Sequence, residues 1–126
     1  MSSQILLSGG NKYYSYSGEV FGDVSVPATI QLIFIPNTGL RDSMVVVHPF
    51  YGDPASRSNE QQLGTKVKLN DVTIFNSQRA ADNNYGSVEN TINLFIPRQS
   101  KLEIISLNTS GNNTQLRGVT VIGYYL

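Results

Sequence analysis

Apolar residues in this chain alternate with polar ones over short runs, and no window carries sustained helical spacing with caps. The runs are rich in β-branched and aromatic residues and are punctuated by Gly, Pro, Asn and Asp. A core made from such segments has to be built of sheets. Strands are expected near Gln4–Leu7, Tyr13–Ser17, Glu19–Val26, Thr29–Ile35, Ser43–Tyr51, Thr65–Phe75, Ser87–Ile96, Leu102–Asn108 and Arg117–Leu126. Their even spacing predicts an all-β fold, an eight- to nine-stranded antiparallel jelly-roll-like sandwich, in one domain over 1–126.

One phrase occurs twice. TIQLIFIPNTGL, Thr29 to Leu40, is echoed by TINLFIPRQSKL, Thr91 to Leu102. In both, a strand closes on Ile-Pro, because proline lacks the N–H that a central ladder needs. A polar corner follows, and a leucine begins the next strand. Each copy is expected to be a strand–corner–strand unit, the two serving as equivalent hairpins in the two halves of a sandwich. In Thr65–Phe75 the alternation breaks at Asn70–Asp71, which calls for either a bulge or a tight turn. GDPASRSNEQQLG (Gly52–Gly64) and NSQRAADNNYG (Asn76–Gly86) read as long loops, the second with room for a helical turn around Gln78–Asp82.

Several strands are apolar on both faces. Ile30, Leu32 and Phe34 alternate with Ile33 and Ile35; Ile92, Leu94 and Ile96 oppose Phe95; Val119, Val121 and Tyr125 oppose Ile122, Tyr124 and Leu126. A two-layer sandwich buries one face of each sheet, so the other apolar face needs a cover; a neighbouring subunit is the expected one, and the chain's own loops or aromatic side chains are the alternative. Tyr13, Tyr14 and Tyr16 in KYYSYSG, with Tyr124, Tyr125 and Leu126 at the close, are the candidate interface.

Composition narrows the chemistry. There is no cysteine, which removes disulfides, thiolate metal sites and thiol nucleophiles. Nine acids balance nine bases, so there is no basic surplus to neutralise phosphates, and no nucleic-acid partner is expected. Charged residues make up 14 % of the chain, against about 25 % in ordinary domains. The opening MSSQILLSGG lacks the features of a signal peptide, and no apolar run is long enough to span a membrane, so no membrane association is expected.

His48 is the sole histidine, too few for a histidine metal site, and no GxSxG context surrounds a serine. It reads as a strand-end residue, packed or facing solvent. The acids fall mostly at strand ends and in loops, and no pair stands out for glycoside hydrolysis. AADNNYG is too poor in acids for a calcium loop, and NTSGNNTQ reads as turn-rich sequence. No catalytic residue, metal or cofactor is expected.

The stretch LFIPRQSKLEIISLNTSGNNTQLRGVTVIGYYL, Leu94 to Leu126, resembles the end of small jelly-roll proteins of virions. It is similar to the capsid decoration (cement) proteins of tailed bacteriophages and to tumour-necrosis-factor-like trimer domains. The resemblance implies a non-enzymatic virion protein on the capsid surface, otherwise soluble. It would form homo-oligomers, trimers by preference, and clamp neighbouring major capsid subunits. A glycan-binding lectin or receptor-binding head is the alternative that the same strands and tyrosines would serve.

Overall fold

A computed structural model describes residues 5–18, 20–22, 28–51, 62–80, 87–88, 91–110 and 115–126. Among these are eleven strands and no helix. They are β1 (Ile5–Gly9), β2 (Lys12–Tyr16), β3 (Val20–Gly22), β4 (Ala28–Ile35), β5 (Ser43–Tyr51), β6 (Gln62–Leu69), β7 (Val72–Ala80), β8 (Ser87–Val88), β9 (Ile92–Ile96), β10 (Leu102–Ser110) and β11 (Gln115–Tyr125). Every pairing is antiparallel.

The pairings are nested. β2 and β3 lie on β11, β4 on β10, β5 on β8 and β9, and β6 on β7. The first half of the chain therefore pairs with the second half in reverse order, as one long hairpin. Two more pairings, β5 with β11 and β6 with β10, roll that ribbon into two facing sheets. One is seven-stranded, in the order β1-β2-β11-β5-β8, with β3 also on β11 and β9 also on β5; the other is four-stranded, β4-β10-β6-β7. This is the expected all-β, jelly-roll-like sandwich.

The tip of the ribbon is Asn70–Asp71. Leu69 pairs with Val72, so two residues make the turn, and both have positive φ, 50° and 70°. That is the geometry of a type I′ hairpin, which Asn and Asp tolerate better than other side-chain-bearing residues. The register also slips between Val67 and Lys68, which places a bulge in the same hairpin. Turn and bulge thus coexist, and the single strand expected over Thr65–Phe75 is two. The pairing continues from Gln62 opposite Ala80, so Gln62–Gly64 and Asn76–Ala80 are ladder rather than loop. A helical turn is excluded at Gln78–Ala80 for the same reason. The remainder of both long loops, 52–61 and 81–86, lies outside the described residues.

The repeated phrase is not two equivalent hairpins. β4 belongs to the four-stranded sheet and β5 to the seven-stranded one, so the first copy crosses between sheets; β9 to β10 crosses back. The two corners run side by side because they belong to opposite arms of the same ribbon. Thr38 N–H donates to Ser100 O at 2.9 Å and Gln99 N–H to Gly39 O at 2.7 Å. Ser100 N–H donates to Thr38 Oγ1 at 3.2 Å, and Ser100 Oγ–H to Pro97 O at 2.6 Å. Both side chains are buried, so their hydroxyls replace the water that a corner normally exposes to its amides. Thr38→Val keeps the shape and leaves the Ser100 amide unpaired. It is expected to cost about 1–3 kcal/mol, read as a lower urea midpoint with an unchanged slope.

Alternation decides what each strand buries. Val45 and Val47 of β5, Leu102 and Ile104 of β10, and Val119 and Val121 of β11 form the centre of the core with Val67 and Ile96. In β4 the pattern breaks. Ile104 pairs with Ile33 but Ile105 pairs with Gln31, leaving Leu32 as the extra residue of a bulge. The phase flips there, and Leu32, Ile33 and Ile35 are all buried while Phe34 faces out. The two-faced reading of Thr29–Ile35 is therefore corrected: the bulge turns Leu32 inward with Ile33 and Ile35 and leaves Phe34 outside.

Tyr13 lies fully inside, its hydroxyl sharing a hydrogen bond of 3.0 Å with Ser43 Oγ. Burial pushes its pKa up, the Ser43 bond opposes this, and the neighbouring Tyr125 adds to the rise. A raised folded-state pKa means that the unfolded chain releases the proton first. The stabilisation is complete below about pH 10 and is lost as pH climbs through the folded-state value. Denaturation midpoints measured above pH 10 should fall less steeply for Tyr13→Phe than for the wild type.

Candidate interaction face

The outer face of the seven-stranded sheet collects the side chains that alternation keeps out of the core. Register aligns them into rows. Lys12 pairs with Tyr124, Tyr124 with Met44 and Met44 with Phe95. The next row is Tyr14, Ile122, Val46 and Asn93; the third is Tyr16, Thr120 and His48. Phe50 lies over Gly118 in a fourth. Four strands thus present an aromatic and aliphatic surface.

The exposure on this face is large for apolar residues: Phe95 is 51 % exposed, Tyr124 39 % and Met44 37 %. The rings of Tyr14 and Tyr16 stand nearly parallel, 13° apart with centroids at 6.3 Å. Lys12 Nζ sits 5.2 Å from the Tyr124 ring centroid, a cation–π contact at the margin of the patch. His48 Nδ1 lies 3.3 Å from Thr91 Oγ1. His48 is exposed and belongs to this face, which settles the packed-or-exposed alternative.

The six residues expected at an interface divide among three environments. Tyr14, Tyr16 and Tyr124 share the outer face. Tyr13 is in the core, and Tyr125 is half-buried beside it, ring centroids 5.2 Å apart, its hydroxyl donating to Thr38 O at 3.0 Å. Leu126 is 62 % exposed at the end of β11, its carbonyl accepting from Arg41 Nη2 at 2.9 Å and its N–H donating to Asp42 O at 2.9 Å. Met44, Val46, Phe95 and Ile122 belong to the face and were not among the six. Each was visible as an alternating apolar residue; the cross-strand register that assembles them was not.

The other outer surface is different. On the four-stranded sheet Lys68 pairs with Glu103, and Gln31 Nε2 donates to Glu103 Oε2 at 2.7 Å. Lys101 bridges to Asp71 at the hairpin tip, which holds the Asp71 carboxyl below and the Lys101 ammonium above their ordinary pKa values. That face mixes charged residues with exposed Phe34 and Ile74.

A cavity of about 130 Å³ opens between Leu6, Tyr13, Ile35, Thr38 and Tyr125. It is smaller than the ~300 Å³ lower end of ordinary ligand pockets. Its hydroxyls already serve the fold, Tyr13 toward Ser43 and Tyr125 toward Thr38. Among the described residues there is no group of three or more side chains suited to hold a metal ion. Among the described residues, the outer face of the seven-stranded sheet is the feature that invites a partner.

No family model and no curated protein sequence matches the chain. Solved structures do. A chain in the structure of the infectious bursal disease virus Gx strain superimposes with a TM-score of 0.59 at 12 % identity, over 90 % of this chain and 32 % of that one. T=1 particles derived from infectious bursal virus give 0.58 at 12 % identity, over 99 % and 31 %. The VP2 subviral particle of infectious bursal disease virus gives 0.55 at 12 % identity, over 99 % and 32 %. The protein is therefore similar in fold to about a third of each of these particle-derived chains.

Proposed function

We propose that this protein is a non-enzymatic structural module of a virus particle, one that associates with copies of itself and bridges neighbouring shell subunits as capsid decoration proteins do. The observation that carries the reading is the apolar outer face of the seven-stranded sheet, with Phe95, Tyr124 and Met44 exposed along its end row. A patch of this kind marks a protein contact when it is contiguous and rimmed by polar residues. The fold shared with chains of infectious bursal disease virus particles supports the virion setting. Balanced charge supports it further, because copies crowded on a shell do not repel one another. Many weak contacts repeated by symmetry then sum to firm attachment.

The test is to mix the purified protein with assembled icosahedral particles, tailed-bacteriophage shells among them, and to sediment them. Co-sedimentation, with particles that withstand higher temperature before releasing their contents, is the expected result. Failure to bind any particle, together with clean binding on a glycan array, would reverse the reading toward a lectin.

A further inference from the structure

We propose that the outer face of the seven-stranded sheet packs against the same face of a second copy of this chain, about a two-fold axis. This deepens the structural-module reading and rests on it for the idea that the face is covered.

Area is the first argument. The rows narrow from four strands to two, and their thirteen positions, set by strand spacing and the two-residue repeat, cover roughly 420 Å² per copy. Two such faces together come to about 850 Å², so a modest contribution from the rim brings the contact to the ~1,000 Å² that a specific interface needs.

Charge is the second. Lys12 is the only formally charged side chain in the described rows, and it sits at the margin over Tyr124. Placing the face on itself therefore brings no like charges together at the centre, where Ile122 and Val46 lie side by side in register.

The third argument selects a pair over a ring. A three-fold ring of head-to-tail contacts needs two different complementary surfaces. The outer surface of the other sheet also exposes Phe34 and Ile74, each 38 %, but Phe34 pairs with Glu103 and Glu103 with Lys68 in register, so its apolar side chains are separated by charge. Among the described residues, the seven-stranded sheet carries the outer face with unbroken apolar rows, which fits an isologous contact. Sheet-on-sheet packing at about 30° is also what twisted sheets adopt by default.

The chain has no cysteine, so single cysteines report cleanly. Packed sheets lie about 10 Å apart, which sets the span of the bismaleimide cross-linker to use on Ile122→Cys. Leu40→Cys, 77 % exposed in the corner between β4 and β5 and outside the four rows, is the control. Most of the Ile122→Cys protein should become a covalent pair under conditions that leave Leu40→Cys single. Adding Phe95→Asp to Ile122→Cys should cut the yield at least tenfold. Native mass of the unaltered chain should show two copies. A mass of one or three chains, or equal cross-linking of Ile122→Cys and Leu40→Cys, overturns the pairing. A single chain that still sediments with particles would overturn the pairing alone and leave the structural-module reading standing.

Discussion

Gly123→Ala is expected to destabilise the fold by about 1–3 kcal/mol, the cost of forcing extra volume into a packed core. The reason is a single close approach. Gly123 pairs with Tyr13 across β2 and β11, and the Tyr13 ring lies flat over the glycine backbone. A Cβ at Gly123 would overlap Tyr13 Cζ, Cε1 and Cε2 at once. The blocking atoms are the far end of a buried ring, so the ring has to shift toward the cavity that it borders with Leu6, Ile35 and Tyr125. That shift draws its hydroxyl away from Ser43, and the Tyr13–Ser43 hydrogen bond goes with it. Domains of this size hold only about 5–15 kcal/mol in total, so the single methyl removes a large part of their stability. Tyr13→Val carries its own cost but frees the space. In the Gly123→Ala, Tyr13→Val double variant the second change should therefore add little, and the two should couple by about 1–3 kcal/mol in a denaturation cycle. Additive costs would mean that the ring does not rest on the glycine.

Leu32→Ala is expected to cost about 2–5 kcal/mol, while Phe34→Ala costs roughly 1 kcal/mol or less. Strict alternation would put these two residues on the same face and make the aromatic loss the greater. The bulge opposite Ile104–Ile105 makes the difference, because it adds Leu32 to the inner set and leaves Phe34 38 % exposed on the outer one. Urea denaturation of the two variants separates the alternatives. A larger loss for Phe34→Ala would show that β4 runs without the bulge.

Period two was enough to read most of the strands. β5 and the bulk of β10 and β11 follow unbroken alternation between turn residues, and their inner faces are the ones that pattern predicts. What defeated it were local changes of phase. The extra residue at Leu32 made β4 look apolar on both sides when its apolar residues, Phe34 apart, turn to one. At Asn70–Asp71 the sequence shows a break in phase, but positive φ at two successive residues is a backbone property with no unique residue signature. The repeated Ile-Pro phrase was legible as a strand ending in a corner. That its two copies cross between sheets, and clasp each other through Thr38 and Ser100, depends on contacts between residues 62 apart in the chain.

The candidate face was half legible. Tyr14, Tyr16 and Tyr124 are conspicuous as residues, whereas Met44, Val46 and Ile122 look like ordinary strand apolars. Only register places Met44 beside both Tyr124 and Phe95. Tyr13 and Tyr125 carry the same composition signal as their neighbours yet point inward, since adjacent strand residues face opposite ways. Local composition finds aromatic strands; the fold decides which rings meet solvent.

Sedimentation velocity on the unaltered chain, Phe95→Asp and Val72→Asp tests directly whether this face is built to be covered. Val72 is the more exposed of the two positions, at 62 % against 51 %, but it lies at the hairpin tip of the other sheet. The unaltered protein and Val72→Asp should sediment as the same oligomer at micromolar concentration, and Phe95→Asp should fall to a single folded chain. Three identical monomer boundaries, or loss of the oligomer in Val72→Asp alone, would show that the outer face of the seven-stranded sheet is not the contact surface.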